Sequence, residues 1–175
     1  MKTATTLAIA LAVALAASLP GAAQDTEKKE KKNHPGLERL KKLDGTWTAE
    51  TKEMGKTTVT YRVISGNSTV METIMPGTDH EMVTMYHVDG DDLVLTHYCA
   101  LGNQPRMKAQ KDSKDGTLDF RCTGGSNMKC PTDAHMHSLV LTFVDEDHVN
   151  HVWTLMKDGK TDHSVKFELA RKKKE

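Results

Sequence analysis

The sequence predicts an all-β fold: an up-and-down antiparallel barrel of about ten strands, preceded by a short helix. Short runs of alternating apolar and polar residues follow one another along the chain. Gly, Asn or Asp residues interrupt these runs at intervals of roughly 8–12 residues, as expected for tight turns between short strands. No long crossover segment separates the runs, so a meander is favoured, and its closure into a barrel removes edges that would otherwise aggregate.

The N-terminal residues predict an export signal. Lys2 provides a positive start, residues 7–19 are apolar, and Gly21-Ala22-Ala23 offers small residues for a signal peptidase. We therefore expect a protein exported to the periplasm or the cell exterior, with no transmembrane segment in its mature chain. The expected division is a signal peptide (residues 1–23), a disordered charged linker (residues 24–34), a barrel domain (residues 35–171) and a solvated tail (residues 172–175).

Composition excludes some classes of function. Basic and acidic residues balance at 24 each, and aromatic residues are scarce, so nucleic acid is not an expected partner. No Gly-x-Ser-x-Gly nucleophile motif, phosphate-binding Gly loop or metalloprotease helix occurs in the sequence. The sequence therefore favours a binding protein over an enzyme of a known motif class.

A helix is predicted after His34-Pro35-Gly36, because Leu37, Leu40 and Leu43 recur at helical spacing. Among the strands that follow, an Asp-Gly turn between residues 89 and 92 predicts a hairpin. The predicted strands are Thr46–Glu53, Thr57–Ser65, Ser68–Met75, Glu81–Val88, Leu93–Ala100, Met107–Lys111, Thr117–Cys122, His135–Val144, Val149–Lys157 and Thr161–Arg171.

The segment Leu43-Asp44-Gly45-Thr46-Trp47 resembles the opening of lipocalin-like and fatty-acid-binding-protein-like (calycin) barrels. In that superfamily a basic residue of the last strand packs across the Trp and closes one end, a role the resemblance gives to Arg171. The superfamily mostly binds small apolar molecules inside the barrel. The segment THYCALGNQPRM, ending at Met107, also resembles an uncharacterised family of exported bacterial proteins with this barrel. Haem barrels of the superfamily have a second Gly after the Trp, whereas Thr48 follows here.

Strand direction then locates the histidines. If the first strand starts at the closed end with Trp47, the predicted positions of His97, His135, His137 and His163 all fall at the open end. Each of these imidazoles continues the apolar face of its own strand, because strand side chains repeat every two residues. We therefore expect a histidine-lined mouth above an apolar cavity.

Such a mouth permits several functions. The preferred one is the binding of a small apolar molecule, with polar groups holding its head. The residues predicted to bind it are His97, His137, His163, Tyr61, Tyr98, Trp153, Arg106 and Phe167. A metal-binding barrel using His97, His137 and His163, or a haem-binding barrel, each with a small catalytic activity, is the alternative. A cell-envelope structural or interaction module with a filled barrel is the third hypothesis.

Three cysteines in an exported chain suggest one disulfide and one free thiol. Cys122 and Cys130 are the nearest pair and flank a loop rich in Gly and Ser, so we predict that they are joined, with Cys99–Cys130 as the alternative. Glu72, in the middle of a strand, is interpreted as an outward surface residue.

Overall fold

The structure is a computed structural model that describes residues 34–51, 55–130 and 132–173. Within these ranges the chain forms a helix followed by ten strands, and the strands close into one antiparallel barrel. The predicted signal peptide and all but one residue of the predicted linker lie outside the described residues, and both stay predictions. The helix is α1 (Pro35–Lys41); the strands are β1 (Gly45–Thr51), β2 (Gly55–Ile64), β3 (Thr69–Ile74), β4 (Met82–Asp89), β5 (Asp92–Tyr98), β6 (Gln104–Ala109), β7 (Thr117–Ser126), β8 (His135–Phe143), β9 (His148–Lys157) and β10 (Lys160–Arg171).

The barrel is a simple meander. Each strand pairs with the next one along the chain, and β10 returns to pair with β1, where Trp47 lies opposite Arg171. This confirms the predicted fold class. The β4–β5 hairpin follows the prediction closely: Asp89 pairs with Asp92, and Gly90 takes a φ of +61°, which glycine adopts without strain.

Helix α1 covers the end of the barrel at which β1 begins. Its N-cap is His34, whose Nδ1 accepts a hydrogen bond of 3.1 Å from the Gly36 amide. Gly36 packs closely against the barrel, since a Cβ there would lie 2.8 Å from a methyl carbon of Leu93 and would make that side chain shift. The apolar stripe of Leu37, Leu40 and Leu43 is at most 4% exposed. This helix therefore belongs to the core.

Arg171 contacts several elements at the end of the barrel that α1 covers. Its guanidinium carbon lies 4.2 Å from the centroid of the Trp47 ring, which is fully buried. The same guanidinium donates hydrogen bonds to the carbonyls of Lys42 (2.8 Å) and Asp44 (2.9 Å), which follow α1. The Trp47 indole donates to the Leu43 carbonyl at 2.7 Å. The barrel, the helix and the last strand thus meet at one closed end.

Strand β7 is longer than predicted. It continues through residues 123–126, which the sequence suggested were loop, and residues 124–126 pair with β6. A Cβ on Gly125 would lie 2.7 Å from the Gln104 carbonyl oxygen, so glycine is what allows the two strands to approach here. Within the described residues, no helix combines the length and apolar character needed to cross a membrane.

Candidate functional site

A cavity of about 400 Å³ opens at the end of the barrel opposite α1. Its walls come from the ends of β3 and β5, the starts of β4 and β8, the later part of β9, the first two thirds of β10, and the β3–β4 and β5–β6 connections. Most of the lining is apolar, with Met82, Leu155, Val165 and Phe167 among it. The volume lies in the range typical of small-molecule sites.

Two buried polar atoms on this wall have no hydrogen-bond partner. They are Nε2 of His97 and Nε1 of Trp153, whose rings lie with centroids 4.5 Å apart. Both side chains are at most 2% exposed. An unpaired buried polar group costs about 1–3 kcal/mol, so two on one cavity wall call for a functional explanation.

Behind the wall, a row of polar side chains crosses four neighbouring strands. The registers pair Tyr61 with Glu72, Glu72 with Thr84, and Thr84 with His97. Because paired residues share a face of the sheet, their side chains meet inside the barrel. The Glu72 carboxyl accepts hydrogen bonds from Tyr61 at 3.1 Å and from Tyr86 at 2.6 Å.

The row continues to two histidines. The Thr84 hydroxyl lies 2.9 Å from Nδ1 of His97, and the Tyr61 hydroxyl lies 2.7 Å from Nε2 of His151. Burial raises the pKa of Glu72, and it lowers the pKa of His97 to about 4 and that of His151 to about 3. All three shifts favour the uncharged form of the group. The barrel interior next to His97 is therefore a hydrogen-bonded and largely uncharged network.

Glu72 corrects the sequence interpretation, which placed it on the surface. Its exposure is 0% because it alternates in phase with Val70 and Ile74, both of which face the core. The phase was visible in the sequence. The interpretation was wrong because it relied on the residue type: a carboxyl inside a barrel is rare unless hydroxyl donors surround it.

The structure brings only part of the predicted ligand-binding set to the cavity. His97, His163, Trp153 and Phe167 line it. Tyr61 lies behind the wall in the polar row. Tyr98 is 50% exposed and Arg106 is exposed, and neither lines the cavity. Tyr98 follows His97 directly on β5 and so takes the opposite face.

His137 does not line the cavity either, and a β-bulge explains why. The register of β8 against β9 shifts between Met136 and Ser138, which leaves His137 as the extra residue. The shift reverses the phase of the strand start, so that Met136 lines the cavity instead. The alternation predicted for β8 therefore applies from Ser138 onward and does not extend to His135 and His137.

The predicted metal set of His97, His137 and His163 is not assembled. Within the described residues, a single group of three or more metal-ligating side chains comes together, and it combines His137 with His135, Cys122 and Cys130. Cys122 and Cys130 are free thiols in the structure, as is Cys99, so the predicted disulfide is not formed there. Burial raises the pKa of the Cys122 thiol, and the neighbouring Cys130 raises it further.

Comparison with known proteins identifies no family for this chain. No family model and no curated protein matches the chain. Among solved structures, the chain is similar to the crystal structure of Rv2717c from M. tuberculosis, with 16% sequence identity and a TM-score of 0.48. The match covers 79% of this chain and 98% of that one.

Proposed function

We propose that this protein is an exported binding protein that holds a small, uncharged and mostly apolar molecule in the cavity at the open end of the barrel. The observation that carries the proposal is the pair of buried, unpartnered polar atoms, Nε2 of His97 and Nε1 of Trp153, on an apolar wall. A ligand with one polar end would pair both atoms while its apolar part covers the remaining wall.

The row of polar side chains around Glu72 limits the hydrogen bonds that the polar end of the ligand can make. Neutral His97 carries one ring proton, and the Thr84 hydroxyl, 2.9 Å from Nδ1, can either donate to that nitrogen or accept from it. Nε2 of His97 therefore accepts or donates toward the ligand according to the tautomer, whereas the indole of Trp153 can only donate. The ligand should offer an acceptor to Trp153 and a donor or an acceptor to His97, and an alcohol or a primary amide can do both.

Charge supports an uncharged ligand. The described lining residues include no Lys or Arg, and the low pKa of His97 keeps its ring neutral near pH 7. A carboxylate placed against His97 and Trp153 would thus lose its hydration without gaining a cation there. Arg106, a cationic member of the predicted ligand-binding set, is exposed and is absent from the cavity wall.

The test uses N-phenyl-1-naphthylamine, an uncharged apolar probe with one N–H donor whose fluorescence rises in apolar surroundings. We expect saturable binding by the wild-type protein. His97→Phe should weaken it roughly 2- to 12-fold, the value of one hydrogen bond. Val165→Trp should abolish it by filling the cavity, whereas Val144→Trp, at a residue outside the cavity that is already 56% exposed, should not.

Competition then tests the polar end. Decan-1-ol and decanamide should displace the probe at concentrations at least about 10-fold lower than decanoate, because only the anion must be desolvated without a partner. Equal probe binding by the wild type and Val165→Trp would refute the cavity site. The absence of any binding would favour the filled-barrel module. Haem uptake with a Soret shift that His97→Phe removes would replace the proposal with the haem alternative.

A further inference from the structure

A second group of chemically active side chains lies on the same rim, apart from the cavity wall. Cys122 belongs to β7, Cys130 to the β7–β8 connection, and His135 and His137 to the start of β8. One ligand atom from each residue lies within 4.8 Å of all the others. Four residues that are separated by up to 15 positions in sequence thus converge on one point.

Two β-bulges produce this convergence. The register of β6 against β7 shifts between Arg106 and Met107, next to Cys122, and leaves Thr123 as the extra residue of β7. The bulge in β8 falls at His137. Bulges re-aim side chains away from the regular alternation of a strand, and here both bulges adjoin members of the group.

The histidine at the centre is already oriented for metal ligation. Nδ1 of His135 lies 2.7 Å from the Asp133 carbonyl oxygen, which can only accept, so Nδ1 carries the proton. Nε2 therefore presents a lone pair, 3.1 Å from Nδ1 of His137 and 3.8 Å from Sγ of Cys130. A backbone carbonyl that fixes the tautomer in this way is the usual support of a metal-binding histidine.

Two of the six separations between the four ligand atoms are close to the edges of a zinc-centred tetrahedron. With Zn–S bonds of about 2.3 Å and Zn–N bonds of about 2.05 Å, ideal edges are about 3.3 Å between nitrogens and about 3.6 Å between nitrogen and sulfur. The two measured separations differ from these edges by about 0.2 Å. Small side-chain rotations would close the remaining distances.

We propose that Cys122, Cys130, His135 and His137 bind one zinc ion in a closed, tetrahedral Cys2His2 site. Each thiol loses its proton to solvent as its sulfur–metal bond forms, so binding of one Zn²⁺ releases two protons. Two thiolates balance the charge of the ion, and four protein ligands leave no open position, which is the pattern of a structural site. The ion would fasten the β7–β8 connection to the barrel rim.

This site is separate from the proposed ligand cavity. Met136 lines the cavity, while the histidines on either side of it belong to the metal group. Filling the cavity with Val165→Trp should therefore leave metal binding intact, so failure of either proposal leaves the other standing.

Cobalt(II) titration of the reduced, metal-free protein is the test, because thiolate–cobalt bonds give a charge-transfer band and tetrahedral cobalt gives intense visible absorption. We expect one ion per chain, displaced stoichiometrically by zinc. Cys122→Ala, Cys130→Ala and His135→Gln should each weaken binding by at least about 10- to 100-fold. Cys99→Ala, at the third cysteine, and His80→Gln, at an exposed histidine, should bind as the wild type does.

Circular dichroism spectra of the metal-free variants check that they fold, and a misfolded single variant is replaced by His137→Gln. The absence of a thiolate–cobalt band in the folded wild type would overturn the proposal. So would a band that survives both Cys122→Ala and Cys130→Ala. Isolation of the chain with a Cys122–Cys130 disulfide that no reductant converts into a metal-binding form would overturn it as well.

Discussion

Acidification is expected to destabilise the barrel through two buried imidazoles, His97 and His151, which are 1% and 0% exposed. Burial lowers the pKa of His97 to about 4 and that of His151 to about 3, because the interior solvates an imidazolium poorly. In the unfolded chain a histidine titrates near about 6.5. As the pH falls below that value, the unfolded chain takes up protons that the folded barrel refuses. Stability is therefore lost from there down to the folded pKa values.

The size of the loss follows from these shifts. Each histidine steepens the pH dependence of the free energy of unfolding by about 1.4 kcal/mol per pH unit. From about pH 7 to about pH 5 this gives about 2 kcal/mol each and about 4 kcal/mol together. Typical domains have roughly 5–15 kcal/mol in total. Glu72 acts with the opposite sign, because its raised pKa makes the folded state hold a proton more tightly, a contribution lost as pH rises.

Urea unfolding followed by circular dichroism at several pH values measures the slope. His97→Gln should reduce the slope by about 1.4 kcal/mol per pH unit between about pH 6 and pH 5, whatever its effect on stability near neutral pH. The contribution of Glu72 is common to both proteins and cancels in this difference. His80→Gln removes an exposed histidine instead and should keep the wild-type slope. Identical slopes for His97→Gln and the wild type would refute the buried, neutral imidazole.

Three further predictions concern particular contacts. Thr84→Val should shift the ¹⁵N resonances of the His97 ring toward a mixture of tautomers, because the hydroxyl bound to Nδ1 is lost; an unchanged tautomer would contradict the polar-row argument. Arg171→Met should lower the free energy of unfolding by about 2–4 kcal/mol, since it removes both the cation–π contact with Trp47 and the hydrogen bonds to carbonyls after the helix. A loss below about 0.5 kcal/mol in urea unfolding would show that these contacts of Arg171 contribute little to the stability of the closed end. Gly125→Ala should cost about 1–3 kcal/mol in the same assay, because its Cβ would meet backbone at 2.7 Å, and a neutral result would mean that β6 and β7 separate easily.

Much of the fold was predictable because its determinants are local. The alternation within each strand, the Asp-Gly turn of the β4–β5 hairpin and the helical spacing of three leucines each specify an element from a few neighbouring residues. The barrel meander then follows from the short connections. The continuation of β7 was not predicted, because Gly124 and Gly125 are typical of a loop. Their pairing depends on the close approach of β6, which the local sequence does not encode.

The candidate sites were predictable only in part. His97, His163, Trp153 and Phe167 were assigned to the cavity from strand phase, and the structure places them there. Tyr98, Arg106 and His137 belong to the same predicted ligand-binding set but do not line the cavity; the first two were chosen by residue type and the third by extending strand phase across a bulge. Glu72 was missed because its burial depends on hydroxyl partners from two other strands. Whether such a residue is buried or lines the cavity depends on partners that are distant in sequence.

The departures from regular strand geometry concentrate at the open end. Register shifts occur between Arg106 and Met107, between Met136 and Ser138, and between Thr161 and His163, next to either the cavity or the metal group. A regular barrel would turn every second side chain of β8 inward, and both histidines would then enter the cavity with Leu139. The bulge at His137 instead gives Met136 to the cavity and both imidazoles to the thiols. One strand can therefore contribute to both proposed sites because its pairing is interrupted once, at His137.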